Sequence, residues 1–294
     1  LRRHRRRLMV SDPPVRRLRL LIALPLLIAA VLRAAESENL AERNLRRIID
    51  RQKEVFADAA KQADNLDESA LKRRLQEISH DYEVLLRDNP RYGAAYAAYG
   101  LLLSKVDMRK EAAAMLLKAN ELDPDIAIVK NQIGNLLAED GKPLQAAPYF
   151  IAAIKLEPAE PLYHYQLGTL LVEARDEFLK NGQWTRATLD AAVLEAFRQA
   201  SELAPGRFEF AYRYAESYYD VEKPDWEAAL KLWSALEEKA PTDIERQTMR
   251  LHAANILIKT GRAGHARLLL EMVTEPGLQG QKDRLRPLLE NAAK

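Results

Sequence analysis

Any metal chemistry in this chain would have to start from five histidines, His4, His80, His164, His252 and His265, because there is no cysteine. None of the five is spaced as in His-Glu-x-x-His, which sets two imidazoles on one helical face around a zinc ion. His164 and His252 fall in helical stretches and read as packing or surface residues. The lack of thiols also removes a cysteine nucleophile, disulfides and the lipidated cysteine on which a bacterial lipoprotein is anchored. Paired acids such as Glu237–Glu238 and Asp81–Glu83 read as solvated helix faces. No Gly-x-Ser-x-Gly elbow is present, and the eleven glycines are taken up by turns and helix crossings rather than by a phosphate-cradling loop. The inventory predicts no catalytic residue, no metal and no cofactor.

Recognition by helices is what remains. Ala, Leu, Glu, Arg and Lys dominate, Gly is sparse, and no β-branched alternation asks for a sheet. A hydrophobic fraction of 48% is ample for a core. The formal charge of +2 conceals an asymmetry. Residues 1–35 hold nine of the 45 Lys/Arg and one of the 43 Asp/Glu, so residues 36–294 carry 36 against 42, a net of −6. That body lacks the basic footprint that binding to a phosphate backbone requires, and no nucleic-acid partner is expected.

The basic N-terminal end reads as an address. Arg16, Arg17 and Arg19 precede an apolar run over residues 20–32, and Ala34 and Ala35 follow, the three-part layout of a secretory signal. The run has 13 residues interrupted by Pro25, whereas a spanning helix needs about 20. Export to a bacterial periplasm is therefore expected, with residues 1–35 as signal peptide and cleavage near Ala35. Cleavage there puts Arg33 at the third position back, where a small residue is preferred, and cleavage after Ala34 puts Leu32 there. An uncleaved anchor in the inner membrane stays open as the alternative, with membrane contact only through residues 18–32. Met9 offers a start as well as Leu1.

Beyond it the chain repeats. Pro90, Pro124 and Pro158 are 34 residues apart, and Gly134, Ala146 and Ala153 echo Gly100, Ala112 and Ala119 at the same interval. Each small residue has a geometric task. Gly134 falls mid-way along a first helix, where a partner helix crosses too closely for a side chain. Ala146 and Ala153 lie seven apart on the second helix and face one neighbour. Gly141 supplies a left-handed turn, Asp107 stands in for it one unit earlier, and Pro158 stops the second helix. Pro148, inside that helix, predicts a late start or a slight kink.

This pattern resembles the tetratricopeptide repeat family, whose unit is 34 residues long. Tyr96, Gly100, Ala112, Leu116, Ala119 and Pro124 carry the resemblance in unit 93–126; Ile133, Gly134, Ala146, Phe150, Ala153 and Pro158 carry it in unit 127–160. It implies an all-α, right-handed superhelical solenoid of about five to six helical hairpins. Residues 38–90 read as a degenerate first hairpin and residues 91–276 as the array, with further units near 161–207, 208–241 and 247–276. Residues 279–294 read as a capping helix. The third unit is 13 residues too long, from Pro158 to Pro205. Seven extra residues precede Gly182 and six follow, so both helices are expected to lengthen together and carry a tip about 10 Å beyond its neighbours. Trp184 falls near that tip, either packed on the long pair or free for contact.

In this family the first helix of each unit lines the inner surface, which implies Asn131, Gln132 and Asn135 in the second unit as partner-binding residues. It implies Tyr165, Gln166 and Thr169 in the third and Tyr212, Arg213 and Glu216 in the fourth. Amide side chains there would pair with the backbone of an extended peptide and tyrosines would cover its apolar groups. Tyr165 and Tyr212 could equally fill gaps between helices. The family's carboxylate clamp is not expected, since Asn131 stands in place of a lysine and Glu209 would repel an anion. The resemblance thus implies a non-catalytic exported scaffold or adaptor that binds a protein or peptide. A membrane-anchored structural subunit of an envelope assembly is the alternative, and a glycan-handling or hydrolytic protein is a third class.

Overall fold

The computed structural model describes residues 39–62 and 66–292; the signal or anchor reading for residues 1–35 lies outside them. Fourteen α-helices and one 3-10 turn follow one another, with no strand among the described residues. None of these helices is long and apolar enough to cross a membrane. The chain divides at Pro158 into two compact units.

The first unit holds α1 (Leu40–Lys61), α2 (Glu68–Asp88), α3 (Gly93–Lys105), α4 (Arg109–Leu122), α5 (Ala127–Glu139) and α6 (Pro143–Leu156). Short polar residues start the first two helices. Asn39 and Glu42 form a reciprocal capping box on α1, and the Asp67 side chain accepts from the Ala70 N–H at the start of α2. The turns behave as their residues dictate. Asp107 takes φ 61° between α3 and α4, and Gly141 takes φ 70° between α5 and α6. A Cβ on Gly100 would stand 2.7 Å from Leu116 Cγ, so α3 and α4 cross at a distance only glycine allows. Leu116, Ala119, Val129 and Ile133 close the core between α4 and α5, while Leu45, Ile49 and Ile78 fill that of the first hairpin. There Tyr82 stacks on Tyr99 with ring centroids 5.1 Å apart and donates to buried Gln52 at 2.9 Å. Pro148 imposes no late start: α6 begins at Pro143 and continues through Pro148 to Leu156.

The second unit opens with α7 (Pro161–Glu173), α8 (Arg175–Lys180) and α9 (Arg186–Leu203). The extra length is distributed unevenly. On its first side it forms a separate short helix, α8, after a break at Ala174. On its second side α9 is one continuous helix of 18 residues, started by a Thr185–Thr188 capping box. Gly182, at φ 78°, makes the turn between them. Phe197 of α9 lies so close to Gly168 that a Cβ there would meet its ring at 2.9 Å.

Next come α10 (Phe208–Ser217), α11 (Trp226–Lys239), α12 (Asp243–Lys259), α13 (Ala263–Glu271) and α14 (Gln279–Ala292). Helix α12 is the axis of this end of the chain: Met249, Leu251, Ala254, Ile256 and Leu257 are all buried. Leu285 and Leu289 of α14 pack into the cluster formed by α12 and α13.

Candidate functional site

In the first unit the three residues expected on α5 lie within one turn of each other. Asn131 is only 1% exposed, and its Oδ1 is screened from solvent with no hydrogen-bond partner. Gln132 and Asn135 are half-buried and share one long bond, Asn135 Nδ2 donating to Gln132 Oε1 at 3.3 Å. This stretch of α5 is therefore amide-rich, with the Asn131 oxygen left without a donor.

In the second unit the expected residues lie on α7 and α10, and their neighbours occupy most of them. The ring of Tyr165 meets Phe197 edge-on at 5.7 Å and Phe210 at 4.9 Å, joining α7, α9 and α10. Thr169 Oγ1 donates to the Tyr165 carbonyl at 2.9 Å, the ordinary back-bond of a helical threonine. Gln166 Oε1, like Asn131 Oδ1, is hidden without a donor. Tyr212 stands edge-on to Trp233 at 5.2 Å, and its hydroxyl is 3.3 Å from His252 Nε2.

Arg213 is spent internally. It lies over the Phe197 ring at 4.6 Å, donates to Glu216 at 3.2 Å and Asp220 at 3.1 Å, and leaves 17% of its side chain exposed. Of the nine expected partner-binding residues, Tyr165, Tyr212 and Arg213 thus serve packing, and Glu216 serves as a counter-ion for Arg213.

Two clusters escaped the sequence reading. His252 is buried and stacked on Trp233, with Tyr219 on a further side at 5.8 Å. Burial without a carboxylate neighbour pushes its imidazole down to about 4. The only available hint was aromatic density in the fourth unit, since Tyr212 and Tyr219 precede His252 by 40 and 33 residues.

The second cluster fastens the lengthened hairpin. Arg186 Nε donates to both oxygens of buried Asp190 at 2.7 and 2.8 Å, and its Nη2 donates to the Asp220 carbonyl at 2.7 Å. The Glu222 N–H donates to Asp190 as well, at 2.7 Å. The start of α9 is thereby tied to the turn that follows α10. Trp184 packs edge-on to buried Phe178 at 6.3 Å. Arg175, the first residue of α8, stands beside this network with Nε and Nη2 screened from solvent and no acceptor for either.

No protein-family model matches the sequence, and no curated protein matches it. Solved structures do resemble the fold. One chain in the structure of Naa15/Naa10 bound to HypK-THB is 18% identical, with a TM-score of 0.54 over 86% of this chain and 33% of that one. This chain therefore spans about a third of that protein's length. PilF of Pseudomonas aeruginosa is 14% identical, with a TM-score of 0.50 over 77% of this chain and 91% of that one. YrrB, described as a TPR protein with an unusual peptide-binding site, is 19% identical, with a TM-score of 0.47 over 70% of this chain and 96% of that one. The fold is that of the helical-hairpin solenoids of tetratricopeptide type.

Proposed function

We propose that this chain is a non-catalytic adaptor whose hairpins hold an extended segment of a partner protein along their first helices. Asn131 carries the reading. A buried amide oxygen left without a donor costs about 1–3 kcal/mol, and folded proteins leave few such groups unmade. Beside it on α5 the half-buried amides of Gln132 and Asn135 are the groups that the main chain of an extended segment meets directly. Gln166 Oε1 repeats the feature on α7 of the second unit. In the tetratricopeptide repeats that this chain resembles, the first helix of each hairpin lines the inner surface, and amide-to-backbone pairing suits an extended segment.

We place the adaptor outside the cytoplasm, in a bacterial periplasm, on the order of basic, apolar and small residues over 16–35. Arg33 favours a second reading, since it stands where signal cleavage prefers a small residue. An uncleaved segment would make the chain a membrane-anchored subunit of an envelope assembly. N-terminal sequencing of the protein from its own cells separates the two, because only the exported form begins near Glu36.

Affinity capture from envelope extract tests the adaptor reading, comparing wild type with an Asn131→Leu, Gln166→Leu double variant. Loss of a partner by the variant, at unchanged helicity, supports it. Retention of every partner rejects the first-helix site.

A further inference from the structure

We propose that the outer edge of the first hairpin docks on anionic lipid headgroups, beside the point where the chain enters α1. The inference rests on the uncleaved-anchor reading of residues 1–35 and is independent of the amides on α5. Leu45, Ile48, Ile49 and Val55 turn one side of α1 into the core. Arg43 and Arg47, four apart and so on one line of the opposite side, are both exposed. With Arg46 and Arg51 they line an open depression of about 500 Å³. Arg51 also borders a second one, of about 490 Å³, to which α2 contributes exposed Arg73 and His80. The two depressions thus adjoin at Arg51.

Most acids of this edge are taken. Arg51 holds Glu77 and, at 2.8 Å, Asp81. Lys53 pairs with Asp50 at 3.3 Å, and Glu42 is held by Asn39 in the capping box. Glu54 stands at the far end of the first depression, about two turns from Arg47. On α2 the Asp58 carboxylate goes to Arg74 at 3.1 Å and not to its neighbour Arg73. Among the described residues no ion pair reaches Arg43, Arg47 or Arg73.

What adjoins the edge names its occupant. Residues 20–32 are the apolar run, and the eight steps from Leu32 to Leu40 span at most about 30 Å. A chain held in a bilayer by that run keeps α1 within reach of the headgroups. The connection itself offers no attraction, since Arg33 is outweighed by Glu36 and Glu38. The hairpin arginines supply it: a guanidinium fork matches phosphate oxygens in pairs. Each Lys or Arg brought to an anionic surface contributes about a fivefold gain.

The chain has no cysteine, so Ala57→Cys, at an exposed position further along α1, gives a single site for a fluorophore. The labelled full chain is reconstituted into vesicles of phosphatidylcholine, alone or mixed with phosphatidylglycerol, with an energy acceptor on the headgroups. High transfer on the mixed vesicles and low transfer on the neutral ones is the expected result. The difference should vanish in about 1 M salt, where the screening length falls to about 3 Å. Arg43→Gln, Arg47→Gln, Arg73→Gln together should lower the ratio of docked to free chain by about a hundredfold. The salt dependence of the wild type stands by itself if that variant folds poorly. Equal transfer on both vesicles means that the tether alone sets the distance, which overturns the proposal. So does full transfer by a folded triple variant. Reversal by inorganic phosphate at constant ionic strength reassigns the edge to free phosphate and overturns lipid docking. A chain that fails to sediment with neutral vesicles rejects the anchor. Transfer that still depends on phosphatidylglycerol then supports docking by the arginines alone, and its absence overturns it.

Discussion

His252 lies flat on Trp233, ring centroids 4.0 Å apart and planes within 6° of parallel, and the imidazole is buried. A neutral imidazole stacks there at no electrostatic cost, but a charged one must give up its hydration with no carboxylate in reach. Its folded value, about 4, lies below the ordinary 6.5, so between these values the unfolded chain binds the extra proton. The associated stability is fully present above pH 6.5 and drains as pH falls toward 4. Urea melts should show about 2–3 kcal/mol less stability at pH 4.5 than at pH 7 from this group. His252→Phe should flatten that dependence. An imidazole that titrates near 6.5 in the folded protein contradicts the burial account.

Glycine substitutions should separate by what a methyl group meets. On Gly100 it would sit 2.7 Å from Leu116 Cγ, whereas around Gly264 of α13 there is nothing within 4 Å. Gly264→Ala should therefore stabilise by about 0.5–1 kcal/mol through helix propensity. Gly100→Ala gains the same propensity but overpacks the crossing, which costs about 1–3 kcal/mol. A net loss is expected, partly relieved when Leu116 is also reduced to Ala. Additive effects in that double variant, measured by chemical denaturation, count against contact as the cause.

The Asp190 anchor should control the long hairpin locally. Asp190→Ala deprives Arg186 of its two-oxygen partner and the Glu222 N–H of its acceptor. A loss of about 2–4 kcal/mol is expected, since one end of the pair is buried. Hydrogen exchange should accelerate first over residues 176–190 and 218–224. Uniform acceleration across 158–292 would show that the anchor serves the whole unit.

Asn131→Leu should raise stability while lowering partner capture. It removes an unmade acceptor from a site 1% exposed and replaces it with a side chain of similar size. A gain of about 1 kcal/mol is expected. A thermal midpoint that falls instead means the amide has a structural donor that the binding role does not require.

Arg213→Ala should act on folding before binding. The side chain bridges Glu216 and Asp220 and covers the Phe197 ring. About 1–2 kcal/mol of stability should go with it, given its partial exposure. Capture lost at full stability would restore Arg213 to the binding face.

The repeat spacing made much of the hairpin order legible, because the constraint behind it is pairwise and short-ranged. Two helices joined by a brief turn cross at one level, and that level admits no side chain, so Gly100, Gly134 and Gly168 had to appear where they do. Asp107 and Gly141 mark turns for an equally local reason, the sign of φ. The third unit shows where this legibility stops. Its surplus residues were countable, but the break at Ala174 and the separate α8 were not, since no proline or glycine marks them.

The amino-acid sequence by itself determined the helical hairpins, their repeat and the side of each first helix from which Asn131, Tyr165 and Tyr212 emerge. Position within a repeat sets the direction of a side chain, and direction is a local property. Only the tertiary structure decided which of these side chains find partners. Tyr212 is covered by a histidine 40 residues later, Arg213 by Glu216 of its own helix, Asp220 of the turn after it and the Phe197 ring of an earlier helix, whereas Asn131 and Arg175 are left with polar atoms that no neighbour answers. Coverage depends on what distant segments bring to the same place, and neither spacing nor composition records that.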